Sequence, residues 1–194
     1  TIACLIAPGV FAQNLIINNA FVKITGSSNV IQLDSSTSAV SSTTGGIQTD
    51  KGTGFVWRIG GSAQKQYTVP FADQYGTAIP VKIKTETFAQ SKNFSFQTWQ
   101  ADTTDLAGFG STVTLKRMWK IDGLQRPVQV ELKYADADIP QSLLGESLLS
   151  ITRLWKGQWA LAQNSVVNPA QNSISYTAND SASYSTAWTL VEID

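Results

Sequence analysis

Apolar and polar residues alternate with a period of two along much of the chain, whereas a helical period is not found. Over residues 128–134 the apolar positions 128, 130, 132 and 134 alternate with Gln129, Glu131 and Lys133. Successive side chains of a strand point to opposite faces, so this run predicts a strand with one dry and one wet face. Further runs of this kind cover residues 54–59, 79–86, 94–97, 112–121, 147–155, 158–162, 173–177 and 184–193.

Turn residues separate these runs. Lys156-Gly157 lies between Trp155 and Trp159 and predicts a tight hairpin, and Asn168-Pro169 marks another turn. Several short strands at a spacing of roughly 8 to 12 residues favour an all-β fold over a parallel α/β sheet. We therefore expect an antiparallel β-sandwich, immunoglobulin-like or jelly-roll-like, in which residues 139–144 could form a short helix.

The region before residue 50 predicts shorter strands at residues 15–17, 20–24 and 30–33. The Ser/Thr/Gly-rich stretch of residues 35–46 follows and is either a loop or a solvated edge. Residues 14–46 could form an amino-terminal strand layer, but about forty residues are few for an independent domain. We expect one β-sandwich domain over residues 14–194, preceded by an extended segment over residues 1–13.

The apolar run TIACLIAPGVFA over residues 1–12 has three interpretations. It is the end of a secretory signal peptide cleaved after Ala12, or a degenerate lipobox in which Cys4 is lipidated, or a strand donated to the sheet of a neighbouring subunit. No run reaches about 18 apolar residues, so no transmembrane helix is predicted. The residues that would fill a neighbour's pockets share apolar side chains: Ile2, Leu5, Val10, Phe11, Leu15 and Ile17.

The composition narrows the function. Fourteen basic residues balance fourteen acidic ones, and only 14% of residues are charged. The net charge is zero, so no overall positive charge attracts nucleic acid. Such a low fraction of charged residues is typical of extracellular β proteins. The single cysteine excludes an internal disulfide and a cysteine-based zinc site, and the lack of histidine excludes the usual Ser-His-Asp and Cys-His catalysis. We expect an extracellular or cell-surface protein that is not an enzyme and has no cofactor.

Two carboxylate pairs are close in sequence, Asp102 with Asp105 and Asp136 with Asp138. Paired carboxylates can act as glycosidase acid and base. However, the second pair follows a strand and precedes Pro140, where turn capping is the commoner role. No Asp-rich loop with calcium-ligand spacing surrounds it, so we predict neither a catalytic nor a metal site.

Arg117 and Arg153 interrupt apolar strand faces, each two residues from a tryptophan on the same side. A guanidinium can be accommodated there by stacking on the indole and donating to Asp or backbone oxygens. We therefore predict that both arginines are structural parts of the core. For the six tryptophans, core burial is likewise favoured over a sugar-binding platform. Trp99 lies outside the strongest alternation and is the candidate for an exposed, glycan-binding aromatic.

Four motifs carry a resemblance to a known group: RMWKI at residues 117–121, VELKYADADIP at 130–140, LSITRLWKGQW at 149–159 and NSISY at 172–176. They resemble β-sandwich modules of Bacteroidota surface and secreted proteins that often precede a type IX secretion sorting domain. GTGFVWRI at residues 52–59 and the leader end VFAQ are also similar to these proteins. The resemblance spans most of residues 50–192 and implies the fold and a secreted location, but almost nothing about activity. No sorting domain occurs before Asp194, so we expect an autonomous small subunit.

The resembled group also carries O-glycans at Asp-Ser/Thr motifs. Asp102-Thr103-Thr104 and Asp180-Ser181-Ala182 fit that pattern, which implies that Thr103 and Ser181 are possible glycosylation sites of a glycoprotein.

Two functions follow from the sequence. The first is a non-catalytic secreted structural subunit of an extracellular filament or surface layer, whose partners are copies of itself joined by donor-strand exchange. The alternative is a carbohydrate-binding or adhesion module that binds surface glycans through surface aromatics.

Overall fold

The computed structural model describes residues 15–26, 29–33, 40–59, 65–85, 92–109, 112–124, 128–155, 158–178 and 184–193. The chain is mostly strand, with several sheets packed together, which confirms the predicted all-β sandwich. Its helical content in these ranges is one α-helical turn, α1 (Thr103–Leu106), and short 3₁₀ turns. The strands are β1 (Leu15–Ile24), β2 (Val30–Leu33), β3 (Val40–Thr49), β4 (Gly54–Ile59), β5 (Lys65–Val69), β6 (Val81–Thr85), β7 (Lys92–Gln100), β8 (Arg117–Leu124), β9 (Val128–Lys133), β10 (Leu149–Trp155), β11 (Gln158–Leu161), β12 (Val166–Asn168), β13 (Ser173–Ala178) and β14 (Tyr184–Glu192).

Two large sheets form the sandwich. The seven-stranded sheet has the order β11-β10-β14-β8-β7-β4-β2, and the five-stranded sheet has the order β12-β13-β9-β6-β5. Strands β1 and β3 form a separate two-stranded sheet. Most pairings are antiparallel, as predicted, but β1–β3 and β2–β4 are parallel. The parallel pairings are confined to the amino-terminal side, where the alternation of side chains did not indicate a strand direction.

The period-two pattern explains which strand faces are dry. In β9, Val128, Val130 and Leu132 are buried, whereas the intervening Gln129 is exposed. Register is fixed by the same pattern: Leu132 pairs with Val81 and Val130 pairs with Ile83 of β6. A shift of one residue would expose this whole apolar set, so the register is strongly specified.

Aromatic residues join the two sheets across the core. Trp57 of β4 and Tyr67 of β5 meet edge to face with ring centroids 5.1 Å apart. Trp188 of β14 and Tyr176 of β13 meet similarly at 5.9 Å. Edge-to-face pairs add about 0.5–1.5 kcal/mol beyond the burial of their surface. The predicted burial of the tryptophans is confirmed for Trp57, Trp119 and Trp188, which are fully buried.

Two local predictions need correction. The loop alternative for residues 35–46 is wrong from Val40 onward, because β3 runs over Val40–Thr49 and pairs with β1. The suggested helix over residues 139–144 is also wrong. That segment is a turn closed by a hydrogen bond from the Leu143 N–H to the Pro140 carbonyl. A proline-initiated turn satisfies this backbone without a helix.

We call the parallel pair β1 and β3 the ribbon. Its pairing is interrupted around Asn18–Ala20, where Asn19 has a φ of 50° and Gly45 has a φ of 100°. Ile17 and Ile24 face the core, and Leu15, Val22 and Val40 pack against it. At its carboxyl end the ribbon reaches both large sheets. The Thr49 hydroxyl bonds the Thr98 carbonyl of β7, and the Ile47 N–H bonds the Pro70 carbonyl.

Candidate functional site

Asp138 is a deeply buried carboxylate that pairs with an arginine in the core. Arg117 of β8 donates to Asp138 through Nε at 3.0 Å and Nη2 at 2.9 Å, and both side chains are almost fully buried. A carboxylate oxygen of Asp138 also accepts the Ala135 N–H at 3.0 Å. A buried charge is tolerated when it is paired and hydrogen-bonded, as here. The prediction of an inward Arg117 with its donors on Asp is therefore confirmed, and turn capping is confirmed for Asp138 of this pair.

Asp136, the other member of that pair, is exposed and accepts a hydrogen bond from the Asn172 amide. The two carboxylates thus occupy different environments, and each has a structural partner. Among the described residues, no group of three or more His, Cys, Asp or Glu side chains is placed to hold a metal ion.

The second carboxylate pair caps α1. The Asp102 carboxylate accepts the Asp105 N–H at 2.8 Å, and the Asp105 carboxylate reaches back to the Asp102 N–H at 3.3 Å, which forms a capping box. Asp105 also accepts the Trp99 indole N–H at 2.8 Å and pairs with Lys51 at 2.7 Å.

These contacts set the ionisation of Asp105. Burial of the carboxyl favours its neutral form, but hydrogen bonds from Lys51, Trp99 and the Asp102 backbone outweigh that effect and hold the pKa of Asp105 below its ordinary value. The group is therefore a firmly ionised structural anchor rather than a proton donor near neutral pH.

Trp99 is not the exposed aromatic that the sequence suggested. Its side chain is only 8% exposed, although it lies on the face of β7 opposite the buried Phe96 and Thr98, because the indole N–H donates to the Asp105 carboxylate of the α1 cap. It does line a polar cleft of about 230 Å³ at this end of the molecule. The other walls carry mostly amide and charged groups: Lys23, Gln48, Asp50, Lys51, Asp73, Gln74, Gln100, Asp102 and Arg117.

A second, larger depression lies between the ribbon and the β5–β6 hairpin. We call it the β3–β5 groove, and it encloses about 700 Å³. The ribbon side carries hydroxyl groups and Phe21, and the hairpin side carries proline and small apolar residues. The lining residues are Asn19, Phe21, Ser42, Thr43, Thr44, Gly45, Thr68, Pro70, Phe71, Gly76, Ala78 and Pro80, none of which is charged.

Exposed apolar side chains lie on both lateral sides of the sandwich. On the ribbon side Ile16 is 66% exposed and Phe21 is 49% exposed. On the opposite side, where β11 and β12 end their sheets, Leu161 is 54% exposed and Val166 is 65% exposed. Exposed apolar residues beside unpaired strand edges are a feature of strand-pairing surfaces.

The predicted assembly residues fall into two groups. Ile2, Leu5, Val10 and Phe11, together with the possible lipidation site Cys4, lie outside the described residues. Leu15 and Ile17 lie in β1, where they pair with Val40 and Ser42 of the same chain. Ile17 belongs to the chain's own core and Leu15 packs against it, and their role in a neighbour's pockets stays a prediction. Parallel pairing with β3 turns both side chains inward.

The remaining predicted residues are placed as follows. The Arg153 guanidinium lies over the Tyr176 ring, 5.9 Å from its centroid. Thr103 is exposed at the start of α1, where a glycan would meet no obstruction from burial. Ser181 lies outside the described residues.

Sequence reasoning missed the groove because its walls come from distant segments. Phe21 and Pro70 carry no motif, and Ser42 and Thr44 are part of the stretch that we treated as a loop or edge. One usable signal was present: glycines occupy positions 45 and 76, where both adopt a positive φ. A Cβ at Gly45 would meet the Ala20 backbone, and a Cβ at Gly76 would meet the Phe21 ring.

No family model, curated protein or solved structure matches this chain. The resemblance to Bacteroidota modules therefore stays a prediction. Within the described ranges there is also no helix of the length and apolarity that crossing a membrane requires.

Proposed function

We propose that this protein is a non-catalytic secreted structural subunit of an extracellular filament or surface layer, and that subunits join by adding a β-strand from one copy to a sheet of the next. The observation that carries this proposal is that, within the described ranges, each large sheet ends on both lateral sides of the sandwich in a strand that pairs along one edge in that sheet. β2 and β5 end the two large sheets on one side, and β11 and β12 end them on the other.

These two sides are different surfaces. A contact that joins one side of a copy to the opposite side of the next is heterologous, and such a contact builds open filaments unless the rotation closes a ring. The exposed Ile16 and Phe21 on one side, and Leu161 and Val166 on the other, supply apolar surface at both ends of such a contact. Backbone hydrogen bonds from an added strand supply affinity, and alternate side chains supply specificity.

The carboxylates support a structural role as well. Asp138 is occupied by Arg117, and Asp105 is occupied by Lys51 and Trp99. A general acid or base must be free to exchange a proton with substrate, and these two carboxylates instead bond fixed partners within the chain.

The test is deletion of residues 1–13 from a chain produced in the cytosol, where a leader is not removed. The full chain is expected to form filaments visible by negative-stain electron microscopy and to sediment as a concentration-dependent series. The deletion variant is expected to sediment as a monomer. Its mass is about 19.7 kDa, because it lacks 13 residues of ~0.1 kDa each from the 21.0 kDa chain.

A matched pair of variants separates strand donation from a general loss of solubility. Val10→Lys with Phe11→Lys places charge in the donated segment and is expected to abolish filaments, because a charge in an apolar pocket is strongly unfavourable. Thr1→Lys adds charge at the end of the same segment and is expected to leave filaments intact. Unchanged filaments after the deletion would contradict the proposal.

The polar cleft at Trp99 favours a second candidate function, glycan binding. A cleft of about 230 Å³ with several amide and carboxylate groups suits the hydroxyls of one sugar residue. Glycan-array binding that is lost in Gln74→Ala with Gln100→Ala, but kept in Gln129→Ala on the exposed face of β9, would support it. Equal array signals for all three proteins would remove this candidate.

A further inference from the structure

The β3–β5 groove has one wall of hydrogen-bonding side chains and one wall of apolar side chains. We propose that it binds a short stretch of uncharged polysaccharide, with Phe21 as the ring on which a sugar stacks and Asn19 as a hydrogen-bond donor. The inference does not rest on strand addition, and the site is different from the polar cleft at Trp99.

The polar wall is produced by an irregularity in the ribbon. The pairing of β1 with β3 shifts register twice near Asn18, so that Thr43 of β3 and Asn19 of β1 have no partner in the ladder. An extra residue in a strand locally redirects the side chains around it. As a result the consecutive residues Ser42, Thr43 and Thr44 all line the groove, whereas successive residues of a regular strand face opposite sides.

Hydrogen bonds within the ribbon set which groups of this wall accept and which donate. The Thr43 hydroxyl donates to the Asn18 side-chain oxygen at 3.3 Å, and the Thr44 hydroxyl donates to the Asn19 side-chain oxygen. The two hydroxyl oxygens therefore present lone pairs, and the Asn19 amide carries two N–H donors beside them. Sugar hydroxyl groups both donate and accept, so they match this arrangement.

Phe21 supplies the stacking surface. Its side chain lines the groove and is 49% exposed. A Cβ on Gly76 would lie 3.0 Å from the Phe21 Cζ atom and 3.6 Å from each Cε atom, so the tip of the ring meets the glycine. Contact at the tip leaves the faces of the ring uncovered by the glycine. An open aromatic face is the surface on which the apolar C–H groups of a sugar pack.

The loop that contains Gly76 is fixed by a buried carboxylate. Asp73 is 2% exposed, and its Oδ1 accepts the Tyr75 N–H at 2.9 Å and the Thr77 N–H at 2.7 Å. The Gly76 N–H also donates to the Asp73 carbonyl at 3.1 Å. The support of the Phe21 ring is therefore in place before a ligand arrives, and such preorganisation lowers the entropy cost of binding.

The charge and size of the groove narrow the class of ligand. None of the twelve residues that line it is charged. An anionic or cationic polymer would lose hydration there without gaining a counter-charge, so an uncharged ligand is favoured. The volume of about 700 Å³ lies within the range of about 300–1,000 Å³ that is usual for small-molecule sites, which gives room for a short oligosaccharide.

The hairpin wall argues against an added peptide strand in this groove. The Phe71 N–H donates to the Val69 carbonyl at 2.9 Å, and the Phe71 carbonyl accepts the Ile79 N–H at 2.9 Å. The Pro70 carbonyl accepts the Ile47 N–H at 2.8 Å, and proline has no N–H of its own. Because this backbone is already bonded, recognition in the groove depends on side chains, and side-chain hydroxyl and amide groups suit a sugar.

Calorimetric titration of the full chain tests the inference. The uncharged probes are cellohexaose, laminarihexaose, mannohexaose and chitohexaose, and hexagalacturonate is the charged comparison. At least one uncharged probe is expected to bind. Hexagalacturonate is expected to bind at least about tenfold more weakly than that probe, because its carboxylates lose hydration in an uncharged groove.

A matched pair of asparagine variants tests the polar wall. Asn19→Gly removes the amide and keeps the backbone, because Asn19 has a φ of 50° and glycine adopts a positive φ readily. It is expected to weaken binding about fivefold, the effect of one lost hydrogen bond. Asn164→Gly is the control, since Asn164 is exposed, has a φ of 66° and lies between β11 and β12 on the opposite side of the sandwich. It is expected to leave the affinity unchanged.

A second pair tests the aromatic ring. Phe21→Ala removes the stacking surface and is expected to weaken binding about tenfold. Ile16→Ala is the control, because it removes an exposed apolar side chain from the same strand outside the groove. Thermal denaturation of all variants verifies that each one folds.

Three results would overturn the inference. The first is that no uncharged probe binds the folded full chain, and the second is that both groove variants bind with the affinity of the unmodified chain. The third is binding that is lost in Gln74→Ala with Gln100→Ala but kept in Phe21→Ala, which would assign the sugar to the polar cleft. Filaments are measured separately, so the proposed function and this inference can fail independently.

Discussion

Two regions of the molecule contain similar residues in different environments. One is the interior between the two large sheets, and the other is the ribbon. In the interior, aromatic side chains from both sheets are fully buried and the buried Arg117 is matched by Asp138. In the ribbon, one face reaches the core through Ile17 and Ile24, whereas Ile16 and Phe21 on the other face meet solvent. A strand with neighbours on both edges and one covered face has its backbone paired and its apolar side chains buried. A strand at an edge retains surface that another chain can use.

The buried ion pair gives the largest expected effect. Asp138→Ala leaves the Arg117 guanidinium buried without its carboxylate, which costs about 3–5 kcal/mol of unfolding free energy. Asp136→Ala, at the exposed neighbour, is expected to cost about 1 kcal/mol or less. Urea denaturation followed by tryptophan fluorescence measures both. Equal costs would show that the interior does not depend on this pair.

Gly45 tests whether the ribbon has a fixed backbone. Its φ is 100°, and a Cβ there would lie 1.8 Å from the Ala20 carbonyl oxygen. Gly45→Ala is therefore expected to separate β1 from β3 locally and to cost about 3 kcal/mol. Gly52→Ala is the control, because Gly52 also has a positive φ but has no atom within 4 Å of the added Cβ. A cost of about 1 kcal/mol is expected at Gly52. Chemical denaturation that gave the two variants equal stability would argue against a close approach of the strands at Gly45.

Ile17 and Ile16 test the two faces of β1 directly. Ile17 is 3% exposed and Ile16 is 66% exposed. Ile17→Ala is expected to lower the unfolding free energy by about 2–3 kcal/mol through lost burial and a residual cavity. Ile16→Ala is expected to change it by less than about 0.5 kcal/mol. The opposite order in thermal denaturation would mean that β1 is turned over. Filament formation should depend on the exposed residue instead. Ile16→Asp is expected to weaken assembly and to leave the monomer stable.

The pH dependence gives the smallest expected effect. The pKa of Asp105 is lowered in the folded state, so its contribution to stability is complete above the unfolded value of about 3.9 and is lost as the pH falls through the lower folded value. Asp105→Asn is expected to lose about 1 kcal/mol at neutral pH and to show a shallower loss below pH 4 than the unmodified chain. Asp50→Asn, at an exposed carboxylate, is the control. Identical acid profiles for all three proteins would contradict the role of the Lys51 and Trp99 contacts.

The sequence and the structure agree best where strands have a covered and an open face. β9 and β14 follow directly from alternation, and Arg117 was identified as an inward arginine because it interrupts such a pattern beside Trp119. Trp99 was misjudged for a local reason: its burial depends on Asp105, six residues later, whose carboxylate receives the indole N–H. Alternation alone cannot predict a contact that a capping turn supplies.

The assembly surfaces depended on information that the alternating pattern does not contain. β3 looked like a loop or edge because Ser, Thr and Gly fill residues 41–46, and it forms a strand because β1 and Ile47 hold it in place. Leu15 and Ile17 were predicted to fill a neighbour's pockets, whereas in this structure Ile17 lies in the chain's own core and Leu15 packs against it. Side-chain period does not indicate which strand will be the partner or in which direction it runs.

The amino-acid sequence by itself determined that this chain folds into stacked antiparallel layers with buried tryptophans, because alternation of side chains is a local property of each strand. It also determined that the protein carries no imidazole and only one thiol. The tertiary structure alone decided that β1 and β3 run parallel, that Asp138 neutralises Arg117, and that an uncharged groove lies between β3 and β5. Each of these depends on segments at least twenty residues apart, whose meeting is fixed by packing in three dimensions and not by any local pattern.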